Sequence, residues 1–291
     1  MLSYSIAIVT FMAIYGMIGL GLNLQWGLTG LINLGQVAFF AVGAYTTALL
    51  CLAGVAFPIG ILSSAALSGT LAVAVALITP RLRDDYLAIV TLGFAELVRL
   101  IFLNEQWIAR GPDGLSAIPR PLEGVWPHNY ELSFMILSLI ALALIFWLAR
   151  RVASYPFGRT LRAIREDETV VTSLGKNVLR FKVQIFGIGA AMAGIAGAFY
   201  ATYLTFIAPP MFTALVSINV LVAVLIGGQG SNVGVLWGTL IVALLLEGTR
   251  FLKDYITLFS GVELAALRLM LIGVLLIVLV LVRFRDVSEE E

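Results

Sequence analysis

The chain has 291 residues, 60% of them hydrophobic and 12% charged, with a net charge of +1, where a soluble domain carries about 25% charged residues. At a mean hydropathy of +1.02 no soluble fold keeps so much apolar surface dry, so the chain reads as an all-α polytopic membrane protein. The balance of charge argues neither for nor against nucleic acid, but nothing resembles a basic, aromatic-rich nucleic-acid patch, and one cysteine (Cys51) with one histidine (His128) leaves no internal disulfide and no protein-only metal site.

A membrane span needs about 20 apolar residues. In chain order the candidate spans are 4–24, 30–52, 58–79, 86–104, 132–149, 181–204, 212–228, 232–252 and 262–282. That makes about nine, and a broken or re-entrant helix in the Gly-rich sequence after Leu20 leaves roughly eight to ten open. Residues 1–24 lack a basic leader and run on into polytopic sequence, so no cleavable signal is expected. Arg81 and Arg83 fall in one loop, a large basic cluster covers 150–182, and Arg283 and Arg285 follow the last span. With nine spans all three places lie on one side, which the positive-inside rule makes the cytoplasm, with the N-terminus outside. Residues 1–291 read as a single transmembrane domain.

The segment 23–47 is unusual for a lipid-facing helix. Asn23, Gln25, Asn33 and Gln36 are polar at membrane depth, interspersed with Gly27, Gly30, Gly35 and Gly43. Unpaired amides in hydrocarbon are costly, so they either bind helices together or line a translocation path. Glu96 and Arg99 sit three apart in the fourth span, on one helix face. They read either as a neutralising pair near the outer end of the span, with the long side chains reaching toward water, or as part of a gate or partner contact. Glu247, with Arg250 as its expected partner, has the same two readings. The loop 105–131 is rich in Pro and Gly and forms turns. It is the largest extracytoplasmic piece, with Trp107 and Trp126 suited to an interfacial belt. Arg110, Asp113, Arg120 and Glu123 are the charges that a docking protein could meet there.

The stretch 154–182 is the one sizeable water-facing piece with a helical pattern. Phe157, Leu161, Ile164 and Val171 fall on one face, while Arg159, Arg162, Arg165, Glu166 and Asp167 fall largely elsewhere. Gly175 is placed to end this helix and Asn177 to cap the next. The apolar stripe is expected to be covered by lipid headgroups, by the protein's own loops, or by a soluble partner in whose groove the helix sits. Downstream, Gly187, Gly189, Gly194 and Gly197 give small-residue spacings for close helix packing. Residues 227–232, GGQGSN, lack the lysine of a phosphate loop and read as a tight connection. The last residues form a solvated acidic tail.

No catalytic constellation is present, and no cofactor is expected. A channel, a self-sufficient carrier and a transport subunit driven by a separate motor remain. An ion-coupled carrier usually shows unpaired intramembrane acids, whereas Glu96 and Glu247 each have a basic residue three away. The cytoplasmic amphipathic stretch favours the motor-driven class.

The motifs also resemble a known family over nearly the whole chain. They are LTGLINLGQ at 28–36, FFAVGAY at 39–45, YLAIVTLGF at 86–94, GPDGL at 111–115 and GRTLRAIREDE at 158–168. Gly175, Lys176, Gly194, Gly197 and GGQG at 227–230 follow. The chain resembles permease subunits of branched-chain amino acid ABC transporters, of the LivH/LivM pair and closest to the M type. It lacks the N-terminal extension of some M-type members. The resemblance implies a multi-pass permease of a bacterial or archaeal inner membrane, paired with a second, similar permease. Two cytoplasmic ATPases would drive it, and a periplasmic or lipid-anchored binding protein would deliver the amino acid. It implies that Gly158, Arg159, Leu161, Arg162, Ile164, Arg165, Glu166, Asp167 and Gly175 form the ATPase-coupling region. A same-superfamily permease for urea, short amides or another small solute is the alternative it leaves open.

Overall fold

In hydrocarbon every backbone polar group must find a partner within its own segment, so long apolar runs become helices. The computed structural model describes residues 2–78, 84–121 and 129–255, with positions 266, 270, 273 and 274. In chain order the helices are α1 (Leu2–Thr29), α2 (Gln36–Leu52), α3 (Phe57–Ile78), α4 (Asp84–Asn104), α5 (Gln106–Ala109) and α6 (Tyr130–Ser154). They continue with α7 (Pro156–Glu166), α8 (Glu168–Ser173), α9 (Val178–Leu204), α10 (Ala214–Gly227) and α11 (Asn232–Tyr255). Among the described residues the one β feature is an isolated bridge between Leu115 and Ile207.

Six helices among the described residues are long and apolar enough to cross a membrane, while α2 and Asn232–Gly248 of α11 are apolar but shorter. The chain is a multi-pass membrane protein. Each expected span as far as 232–252 falls on a helix. Apart from positions 266, 270, 273 and 274, the expected span 262–282 lies outside the described residues, as do Arg81, Arg83, Glu123, Trp126, His128, Arg283, Arg285 and the acidic tail.

The bundle is built around α9. Its glycine and alanine face lets two other helices come to backbone contact. A Cβ on Gly43 of α2 would stand 2.2 Å from the Gly194 carbonyl oxygen, and one on Gly197 would stand 2.1 Å from that of Phe40. On the same side of α9, Ser68 of α3 donates to the Phe39 carbonyl at 2.9 Å. α1 packs antiparallel to α9, with Phe11 edge-on to Tyr203 at 5.5 Å. α2 is buried over most of its circumference, which is why its apolar residues show no one-sided pattern.

The expected irregularity after α1 lies at 30–35. Gly30 adopts φ +79° and ends α1, its amide bonded to the Trp26 carbonyl at 2.9 Å. Side chains satisfy the freed amides: Thr91 Oγ1 accepts from Leu34 N at 3.2 Å, and Asn33 Oδ1 from Gly35 N at 2.9 Å. Irregular backbone at membrane depth survives only when protein encloses it in this way.

α4 is peripheral. One stripe, Leu87, Thr91, Ala95, Val98 and Phe102, is buried. It faces α2, where the Phe39–Phe94 rings lie 5.6 Å apart and the Tyr45–Phe102 rings 4.2 Å apart. Most of the remaining circumference is exposed.

Candidate functional site

The water-facing stretch 154–182 forms two helices rather than one. The chain turns extended at Asp167, with φ −156° and ψ 110°, between α7 and α8. Asp167 accepts from the amides of Thr169 at 2.7 Å and Val170 at 3.3 Å, capping α8. The Thr169 side chain, with these two amides, holds the Asp167 carboxyl below its usual value. Gly175 closes α8 at φ +76°, and Asn177 caps α9 by accepting from the Arg180 amide at 3.1 Å, both as expected. The periodicity ran through residue 167 because Val171, on the second helix, stays in register with the buried face.

The apolar stripe is covered by the protein itself. Leu161, Ile164 and Val171 are buried, with α7 lying against α1, α6 and α9, and Phe157 stacks on Phe181 at 5.5 Å. Each such burial contributes about 1.5–3 kcal/mol to holding the pair down. Gly158 permits the close approach: a Cβ there would stand 2.3 Å from the Ala153 carbonyl oxygen. Of the three covers expected for this stripe, the protein itself is the one found, and the reading in which the stripe gives affinity for a soluble partner is corrected, because Leu161 and Ile164 have no free surface. What faces water is Arg159, Arg162, Arg165, Glu166, Asp167, Val170 and Leu174. Lys176 donates to Thr160 Oγ1 at 2.9 Å, and Lys182 pairs with Glu168, so α7, α8 and the start of α9 are tied into one piece.

That piece is tied to two distant segments. Arg165 Nη1 donates to the Gly27 carbonyl at the end of α1 at 2.7 Å, and its Nη2 donates to Gln229 Oε1 in the α10–α11 turn at 3.0 Å. Asn23 clasps the same turn, accepting from Gly230 N at 2.8 Å and donating to Asn232 Oδ1 at 2.9 Å. The GGQGSN connection is therefore a tight turn seated on α1. Its tie to Arg165 was missed in the sequence reading, and no local pattern marks a link across 64 residues.

The other amides form a closed set. Asn33 donates to Gln25 Oε1 at 3.0 Å and to Gln36 Oε1 at 2.8 Å. Gln25 donates to the Phe186 carbonyl at 2.9 Å, and Gln36 to that of Gly189 at 3.1 Å. All four amides, Asn23 included, are buried, and this network joins the 30–35 break to α9.

Glu96 and Arg99 form a two-pronged pair on α4, with Arg99 Nε 2.9 Å from Glu96 Oε2 and Nη2 donating to Oε1. Glu247 lies on α11, and the side chain of its expected partner Arg250 is outside the described residues. At the far end of the bundle, Arg110 adopts φ +55° just before the turn Gly111–Asp113. Arg110 and Asp113 are exposed, and Arg120 lies 5.0 Å from the Tyr130 ring centre. This loop is pinned to the segment after α9, with Leu115 and Ile207 exchanging amide bonds at 2.8 and 3.0 Å and Ile118 N donating to the Thr205 carbonyl at 3.1 Å. Among the described residues no group of three or more His, Cys, Asp or Glu could hold a metal ion.

Residues 4–280 match the family described as branched-chain amino acid transport system / permease component. The high-affinity branched-chain amino acid permease protein LivM of Escherichia coli is 36% identical over 284 residues, covering 88% of this chain and 66% of that protein. LivM of Methanocaldococcus jannaschii is 30% identical over 310 residues, 94% of this chain and 89% of that one. Escherichia coli LivH is 24% identical over 254 residues, 81% and 82% of the two chains.

Proposed function

The chain belongs to the permease family of branched-chain amino acid transport systems, and from that membership we propose that it is the membrane subunit of an ABC importer for branched-chain or related amino acids. It acts beside a second homologous permease, with two ATPases on the basic side and a binding protein on the other. It carries no ATPase site of its own. On this reading there are nine spans, the basic side is cytoplasmic, and the protein sits in a bacterial or archaeal inner membrane. Residues 1–291 then act as one transmembrane permease domain.

The observation that supports this best is the α7–α8 platform. Its apolar face is sealed against its own bundle, its charges and the exposed Val170 and Leu174 point outward, and Arg165 ties it to α1 and the α10–α11 turn. Such a platform passes force rather than holding a loop in place. ATP closes the two ATPases, the platform moves with them, and the permeases rock to open the path toward the binding protein. Hydrolysis resets the cycle. Affinity for the ATPase comes from Val170 and Leu174, and the surrounding charges Arg159, Arg162, Glu166 and Asp167 steer docking. Asn23, Gln25, Asn33 and Gln36 act on the path from behind, by setting where the 30–35 break meets α9. On the opposite side Arg110 and Asp113 offer exposed charge to the binding protein.

The test is co-purification and uptake. The intact assembly should bring down its ATPases and accumulate leucine, isoleucine or valine in vesicles only with ATP and loaded binding protein. Val170→Asp with Leu174→Asp should release the ATPases from a permease that still folds. Replacing Glu166 and Gly175 should weaken stimulation of hydrolysis by loaded binding protein. Uphill uptake by this chain alone would sink the assignment.

A further inference from the structure

α4 crosses the membrane by one buried stripe, and its charged pair lies away from that stripe. Glu96 is eight residues before Asn104 and ten after Tyr86, so it lies about 12 and about 15 Å from the two ends of the apolar run, near mid-depth. It shares the outward face with Ile89, Gly93 and Leu100, all exposed. The Glu96 side chain is 51% exposed and that of Arg99 22%. An unpaired carboxylate or guanidinium facing lipid at mid-depth costs about 2.5–3.5 kcal/mol, which the pairing offsets only in part, and charges at this depth characteristically face protein or a water-filled cavity. Among the described residues Glu96 and Arg99 are each other's only polar partners. Beside them is room: nothing lies within 4 Å of where a Gly93 side chain would begin.

We propose that Glu96 and Arg99 are the head-group site for an α-amino acid in transit, a reading that rests on the function proposed above. Arg99 takes the substrate carboxylate in the two-pronged geometry it now offers Glu96, and Glu96 takes the ammonium. The exchange conserves charge-assisted hydrogen bonds, because the pair opens to admit a molecule carrying both charges and every charge stays matched. An acid without an amine, or an amine without a carboxylate, would leave one side chain unpaired in a low-dielectric setting, which is strongly disfavoured. The site therefore selects zwitterions. The exposed Ile89 and Leu100, on the same face as the open position at Gly93, offer an aliphatic substrate side chain apolar surface.

The experiment uses the whole assembly, with ATPases, second permease and binding protein, in proteoliposomes. If the unaltered assembly takes up no branched-chain amino acid, the functional reading itself fails, independently of this site. Given uptake, Glu96→Gln, Arg99→Gln and the double Glu96→Gln/Arg99→Gln should each reduce amino acid taken up per ATP hydrolysed by at least about tenfold, the loss of one charge-assisted hydrogen bond. The double change leaves no unmatched charge and decides the matter if a single change prevents assembly. Undiminished uptake by the double variant overturns the proposal. Gly93→Cys in a Cys51→Ser background tests access without touching the pair. A membrane-impermeant thiol reagent should label it, and turnover with loaded binding protein should slow labelling at least about threefold. A cysteine that stays unlabelled places the face in lipid or in a sealed contact, and also overturns the proposal.

Discussion

Arg165 of α7 donates to the carbonyl of Gly27 at 2.7 Å, joining residues 138 apart in sequence at the point where α1 ends. The second arm of the same guanidinium holds Gln229, so one side chain staples the platform to α1 and to the α10–α11 turn. A planar fork can serve two acceptors at once, which an ammonium does with far less fixed geometry. Arg165→Ala is expected to lower uptake driven by loaded binding protein about fivefold or more, a small but measurable coupling loss. Arg165→Lys should recover part of it. Assembly with the ATPases, scored by co-purification, should persist in both.

Gly43 and Gly197 have no room for a methyl group, because backbone oxygens stand where it would go. Gly43→Ala or Gly197→Ala is expected to push α2 off α9 and to cost about 3 kcal/mol or more. Thermal melting of the purified protein in detergent reads this directly. Gly93→Ala, where nothing lies within 4 Å, is the control and should melt near the parent.

The Tyr45 hydroxyl is buried without a hydrogen-bond partner among the described residues, although its ring packs on Phe102 and Phe212. An unpaired buried hydroxyl is a liability, so Tyr45→Phe should leave stability unchanged or raise it by about 1 kcal/mol. A lower melting temperature would mean that a partner outside the described residues satisfies the hydroxyl.

Asp167 supplies a pH dependence whose sign is fixed. Its folded carboxyl titrates below the ordinary aspartate value because the Thr169 side chain and the Thr169 and Val170 amides that it caps favour its charged form. The cap's contribution is full above that value and is lost as pH falls through the lower, folded one. Protection of the Thr169 and Val170 amides, their exchange relative to the intrinsic rate at each pH, should therefore be flat near neutrality and fall only in acid. Asp167→Asn should cap without titrating and flatten that acid limb.

The spans were legible because a run of apolar residues has few alternatives in a membrane. The buried face of α7 was legible because period alone marks Leu161 and Ile164. What covers that face was not, since the stripe looks the same against α1 or against another protein. The break at Asp167 was hidden because Asp is tolerated in a helix and favoured at its start, and only the backbone decides. Among the amides, residue type announced that Gln25 and Gln36 needed partners. The acceptors, carbonyls of Phe186 and Gly189, belong to a helix more than a hundred residues away and carry no side-chain signature.

α9 starts in the piece that holds the platform, and the strand-like segment after it grips the loop at the opposite membrane face. Its 27 residues make a strut about 40 Å long. A tilt of about 5° about one end would swing the other by about 3.5 Å at that length. A lever of that kind turns a small displacement at one membrane face into a larger one at the other, with no chain of small switches in between.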